Sequence, residues 1–155
     1  MKKVIIYFSF VFCFINCTDS YDLIKSEFIG SGTLSKTGAE KMPKENLVIN
    51  DSINWNLLIN QLNTAKLLDS TYTNTDYLKK INIDFSEFTV IACFDEFKGQ
   101  FSFVNIEKIL DYHTNIVVYL TYINKIPGPY MLNISQAYDI VKIKKTDKPI
   151  SFVTE

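Results

Sequence analysis

Glu87-Phe88-Thr89-Val90-Ile91-Ala92-Cys93-Phe94-Asp95 is the stretch on which the fold turns. Phe88, Val90, Ala92 and Phe94 alternate with Ile91 and Cys93, so both faces of an extended chain are apolar. Successive side chains of a strand point to opposite faces, and a strand greasy on both must have something packed on each side. This segment therefore reads as a central strand with a layer above and a layer below. Cys93 falls inside it and reads as a small buried thiol, not a nucleophile.

Downstream the period stays at two. Phe101–Ile109 and the β-branched, aromatic run Ile116–Ile123 predict two strands, with a turn at Asp111–Asn115 between them, so 106–123 is expected to form a hairpin. Tyr138, Ile140 and Lys142 alternate with Val141 and Ile143 in a further strand. A Lys145–Pro149 turn precedes a short edge strand near 150–153. Upstream, Leu47-Val48-Ile49 is a short strand and Asn50-Asp51-Ser52 supplies cap-forming side chains for a helix start. Ile53, Trp55, Leu57, Leu58, Leu62 and Ala65 follow at spacings near three and four, which predicts one helix over 52–66 with Trp55 anchoring it on a sheet. Residues 33–46 read as an exposed loop and 67–82 as polar and irregular. The fold class is thus α+β, β-dominated, an antiparallel sheet in the form of a sandwich or a partly open barrel with one packed helix.

The first 17 residues have a different character. Lys2 and Lys3 precede an apolar run from Val4 to Ile15 broken only by Ser9. Twelve residues are too few to span a bilayer as a helix, which takes about 20, and suit an export signal. Phe14-Ile15-Asn16-Cys17 is similar to a relaxed lipobox, followed at once by polar Thr18-Asp19-Ser20. The expectation is a lipoprotein signal over 1–17 with Cys17 as the acylated residue, a polar tether over 18–27 and a globular domain over 28–155. The expected place is the cell envelope, lipid-anchored to a bacterial membrane, at the outer membrane and facing the periplasm or the cell surface. The asparagine-, isoleucine- and lysine-rich composition with this loose lipobox resembles a Bacteroidetes-type lipoprotein.

Composition narrows the function further. The 155 residues include 12 Phe and 9 Tyr, enough to fill the core of one domain. The net charge is −1, and removing the leader leaves 14 lysines against 17 acidic residues, about −3, with no arginine anywhere. Nucleic-acid binders concentrate basic charge and favour arginine for bidentate contacts, so that class is set aside. Of the three cysteines, Cys13 and Cys17 belong to the leader region and only Cys93 to the domain, which excludes a disulfide framework. The single imidazole, His113, sits in a predicted turn without the partners that a triad or a zinc site needs. Asp95 and Glu96, adjacent at a strand end, should face opposite ways, a poor geometry for a paired acid and base. No closely spaced glycines and lysine form a phosphate cradle. The residues point away from an enzyme, and no cofactor, metal or small-molecule ligand is expected.

Taken in order, several segments resemble a known family, the extracytoplasmic domains named for the C-terminal part of PrcB, a protease-complex subunit. Phe28-Ile29 with Gly32 and Ser35 resembles its opening. Leu47-Val48-Ile49 followed by Trp55-Asn56-Leu57-Leu58 resembles its strand and Trp helix. Ile83-Asp84-Phe85-Ser86 leading to Val90-Ile91-Ala92 resembles its central strand, and Pro127-Gly128-Pro129 its proline-glycine loop. Gln136 to Ile143, with the 145–149 turn and Phe152-Val153, resembles its close. The chain departs from the pattern at Gly99-Gln100-Phe101, where the family has a Gly-Gly-Tyr turn, and at Tyr130-Met131, where relatives place a glycine. The resemblance implies an accessory or interaction protein of the envelope that supports or regulates an exported protease complex, with a protein partner there. The alternative is a protease-inhibitor-like domain acting through loops 96–101 and 125–136. On either reading the candidate contact residues are Phe97, Gly99, Phe101, Pro127, Gly128, Pro129 and Tyr130, since exposed aromatic and proline-rich loops favour protein contact.

Overall fold

A computed structural model describes residues 20–35, 43–64, 75–96, 102–124 and 135–155. Among the described residues, eight strands and one α-helix build three layers. The strands are β1 (Tyr21–Leu23), β2 (Glu27–Ser35), β3 (Glu45–Ile49), β4 (Phe88–Phe94), β5 (Ser102–Tyr112), β6 (Ile116–Asn124), β7 (Ser135–Lys144) and β8 (Ile150–Thr154), with α1 at Ser52–Thr64. One sheet runs β2-β7-β4-β3 and the other β1-β5-β6-β8. The first is the middle layer, with α1 on its outer face and the second sheet on its inner face.

The two-faced pattern of β4 is what builds this stack. Val90, Ala92 and Phe94 join Trp55, Leu58, Ile59 and Leu62 in the core beneath the helix. Ile91 and Cys93 join Val104, Ile109, Val118 and Leu120 in the core between the sheets. β7, paired antiparallel to β4, divides in the same way, with Tyr138 and Ile140 toward the helix and Ala137, Val141 and Ile143 toward the second sheet. β5 and β6 form the expected hairpin, closed by the Tyr112 amide donating to the Asn115 carbonyl at 2.9 Å.

α1 starts where its cap lies. The Asp51 carboxylate accepts the Asn54 amide at 2.8 Å and the Asn54 side-chain amide at 2.7 Å. These bonds hold the Asp51 carboxyl below its ordinary range. The buried stripe is Trp55, Leu58, Ile59 and Leu62, one helical face at i, i+3, i+4 and i+7. Ile53 and Leu57, assigned by spacing to that face, are exposed, because 100° per residue carries them round to the opposite side. Ala65 lies outside the described residues.

Four other expectations change. The tether reading of 18–27 gives way at Tyr21–Leu23, which pairs with Leu110–Tyr112 of β5, and at Glu27, where β2 begins. All three residues of β1 are exposed, so backbone pairing holds it and no apolar period announces it. β8 runs parallel to β6, so the second sheet is mixed where an antiparallel one was expected. The chain leaves β6, reverses through β7 in the other sheet and reverses again, which restores its direction. Within 67–82, Thr75–Lys80 is a 3-10 turn that sinks Leu78 into the core under α1. β2 also runs on to Ser35 and β3 begins at Glu45, both inside the stretch read as a loop.

Candidate functional site

Cys17, Phe97, Gly99, Phe101, Pro127, Gly128, Pro129 and Tyr130 all lie outside the described residues. The strand ends that lead to those loops are described, and they converge. Ser35 pairs with Ser135, Glu45 with Phe94, and Ser102 with Asn124. Lys44, just before β3, ties the two sheets together at this end. Its ammonium lies 3.8 Å from the Asp95 carboxylate of the first sheet and 4.7 Å from the centre of the Tyr122 ring of the second. Asp95 is buried; its carboxylate also accepts the Glu96 amide at 2.7 Å, and its carbonyl accepts the Gln136 side-chain amide at 2.8 Å. The Tyr122 phenol is pushed up, first by burial and then by the nearby Cys93 and Asp95. Glu96, next in the chain and also past the end of β4, is exposed.

A second feature opens at the side of the sandwich, where the chain crosses from β1 to β2. β1 covers only the far end of β5, from Leu110 to Tyr112, with one more bond from the Ile24 amide to the Ile109 carbonyl at 2.9 Å. β2 then departs to the other sheet. A groove of about 590 Å³ is left between β2 and the near half of β5, within the range of natural ligand pockets. Phe28, Phe103 and Ile123 stand at its rim, all substantially exposed.

Asp139 lies in the groove wall and is 5% exposed. Its carboxylate accepts the Ile106 amide of β5 at 2.8 Å across the two sheets. Burial is the main influence and raises its carboxyl above the ordinary value, opposed by bonds from the Ile106 and Ile140 amides. At pH well below the ordinary carboxylate range the proton is bound in both folded and unfolded chains. As pH rises the unfolded chain ionises first, so folding stability is lost until the native carboxyl has ionised as well. Wild-type protein should therefore lose stability relative to Asp139→Asn as pH rises from about 3 through and beyond the ordinary aspartate range, read from denaturant midpoints. A constant difference across that range would show that burial does not penalise this charge.

Cys93, directly across from Asp139 in the register, is fully buried. Desolvation, with a smaller push from the Asp139 charge, raises its thiol to about 12. The thiolate is the reactive form, so Cys93 should resist thiol reagents in the native protein and react fully in denaturant, as located by peptide mapping. His113 is exposed in the hairpin turn. Among the described residues no group of three His, Cys, Asp or Glu is placed to hold a metal ion. Nor is any helix there long and apolar enough to cross a membrane.

Neither Lys44 nor Asp139 was singled out by sequence reasoning. Asp139 did leave a signal, an acid at the centre of a run whose neighbours on that face, Ala137, Val141 and Ile143, are all apolar. Lys44 left none, because a lysine in a lysine-rich stretch reads as solvated surface.

The geometry defines a three-layer α+β protein with a junction of strand ends at one end and an apolar groove at one side. No protein-family model, no curated protein and no solved structure matches the chain.

Proposed function

We propose that this chain is a lipid-anchored interaction module of the bacterial envelope that binds a protein partner, in the manner of an accessory subunit of an exported protease. The observation that supports the reading most is the separation of its two ends. β1 starts at Tyr21, paired with Tyr112 at the far end of β5, next to the hairpin turn. The expected loops 96–101 and 125–136, the second shortened to 125–134 because Ser135 and Gln136 belong to β7, are led into by strand ends at the other end of β5, at Ser102 and Asn124. Eleven residues of β5 separate them, on the order of 35 Å at about 3.3 Å per residue. An acyl chain on Cys17 would hold the Tyr21 end toward the membrane and leave the loop end facing outward.

The reading predicts that the membrane-bound protein retains an envelope protein after mild cross-linking. Replacing loops 97–101 and 125–134 by glycine-serine segments of equal length should abolish that retention. Unchanged retention would remove those loops from the account. The convergence of strand ends also favours a second reading, in which the loops enter a protease cleft. Proteases assayed with and without the purified protein separate the two, since an unimpaired panel at micromolar protein leaves only the accessory role.

A further inference from the structure

The groove between β2 and β5 carries information about what would fill it. Residues 103–106 of β5 all contribute to its lining. Side chains alternate between faces, so four consecutive residues can border one groove only if the edge of the strand faces it. β1 pairs no farther than Leu110, and no other described strand pairs with residues 102–108 on that side. The Ile106 amide points away from β6 and into the groove, to Asp139. In an antiparallel strand, alternate residues direct their backbone groups the same way, which places the Val104 amide and carbonyl on that open edge too. β2 faces the groove from the opposite side and is itself the last strand of its sheet. The open hydrogen-bonding edge of β5 thus borders an apolar slot whose other wall is the face of β2 that carries Phe28 and Ser31, an arrangement that accepts a strand added to β5.

The charge in the slot narrows the occupant. Asp139 is bonded only by backbone amides among the described residues, with no cation beside it. A buried carboxylate without a counter-charge is costly, and a basic side chain delivered to it would remove that cost.

We propose that the groove binds an extended peptide, which adds as a strand to the open edge of β5 and delivers a lysine side chain to Asp139. This rests on the reading of the protein as a binding module and names the chemistry of the partner segment. The apolar rim formed by Phe28, Phe103 and Ile123 takes the alternate side chains of the peptide.

The test uses the full chain in detergent micelles and a fluorescent, end-blocked hexapeptide of valine and threonine with one central lysine. Its analogues carry norleucine in place of lysine, or N-methyl groups on alternate amides. Saturable anisotropy should appear for the lysine peptide, at least tenfold tighter than for norleucine, and hydrogen exchange at Val104 should slow on binding. The N-methylated peptide should fail to bind, because it cannot pair with a strand edge. Asp139→Asn should erase the preference for lysine while leaving binding of the norleucine peptide in place. Where that variant does not fold, the analogue series on wild-type protein decides alone. The proposal is overturned by no peptide binding, by equal affinity for lysine and norleucine, or by full competition from lysine amide alone. It is equally overturned if the N-methylated peptide binds as well as its parent. Partner retention by the same chain, measured in parallel, reports on the binding-module reading separately. Retention that persists without peptide binding discards the groove and keeps the module.

Discussion

Truncating Phe94 to alanine is expected to cost about 3–5 kcal/mol of folding stability, which is a large part of what a domain of this size possesses. Phe94 ends β4 on the helix side and is fully buried. Its ring stacks on Tyr138 with centroids 6.2 Å apart and planes inclined by 28°. Tyr138 is its cross-strand partner on β7, and Gly32 on β2 is in turn the partner of Tyr138. A Cβ built on Gly32 would meet the Tyr138 hydroxyl oxygen at 3.2 Å, so the tyrosine already lies close against the glycine backbone. Three strands of the middle sheet are therefore registered by one contact sequence from Phe94 through Tyr138 to Gly32. Removing the Phe94 ring leaves a cavity that Tyr138 can enter only by leaving Gly32. Urea unfolding should show a lower midpoint with an unchanged slope. Phe28→Ala, at a side chain 69% exposed, should change stability by no more than about 0.5 kcal/mol. A loss below about 1 kcal/mol at Phe94 would mean that the residue is not the packing centre described here.

The second large effect is expected at Cys17. On the proposed reading, Cys17→Ser removes the atom that receives the acyl chains. Each buried methylene contributes about 0.8 kcal/mol, so stable anchoring requires more than one chain and is lost altogether without them. The variant should carry no acyl chain and accumulate with its leader uncut, read as a higher intact mass than the mature form. Unchanged processing and an unchanged acyl mass would refute lipidation at this position, whatever the fold.

The β-dominated α+β class and a central strand buried on both faces were legible in one segment. Phe88–Phe94, apolar on both faces, required a layer on each side of a central strand, and those layers are the helix and the second sheet. Strong local signals carried the β5–β6 hairpin and the start of α1. Features held by backbone pairing alone left no side-chain pattern to read. β1 is exposed throughout, and the parallel approach of β8 to β6 is set by how the chain returns between sheets. At Ile53 and Leu57 apolar content and helical rotation point to different faces, and rotation decides which side is buried. Of the functional features, the lone acid on an apolar face at Asp139 was visible in principle. The open edge of β5 was not, since it exists only because β1 stops short and β2 crosses to the other sheet.

The proposal that Cys17 anchors this chain at the envelope rests most directly on the covalent state of its N-terminus. Intact-mass and N-terminal peptide analysis of the protein extracted from membranes should find a chain that begins at Cys17 and carries a diacylglyceryl thioether. A chain that retains Met1, or one cut elsewhere with the Cys17 thiol free, would contradict the account.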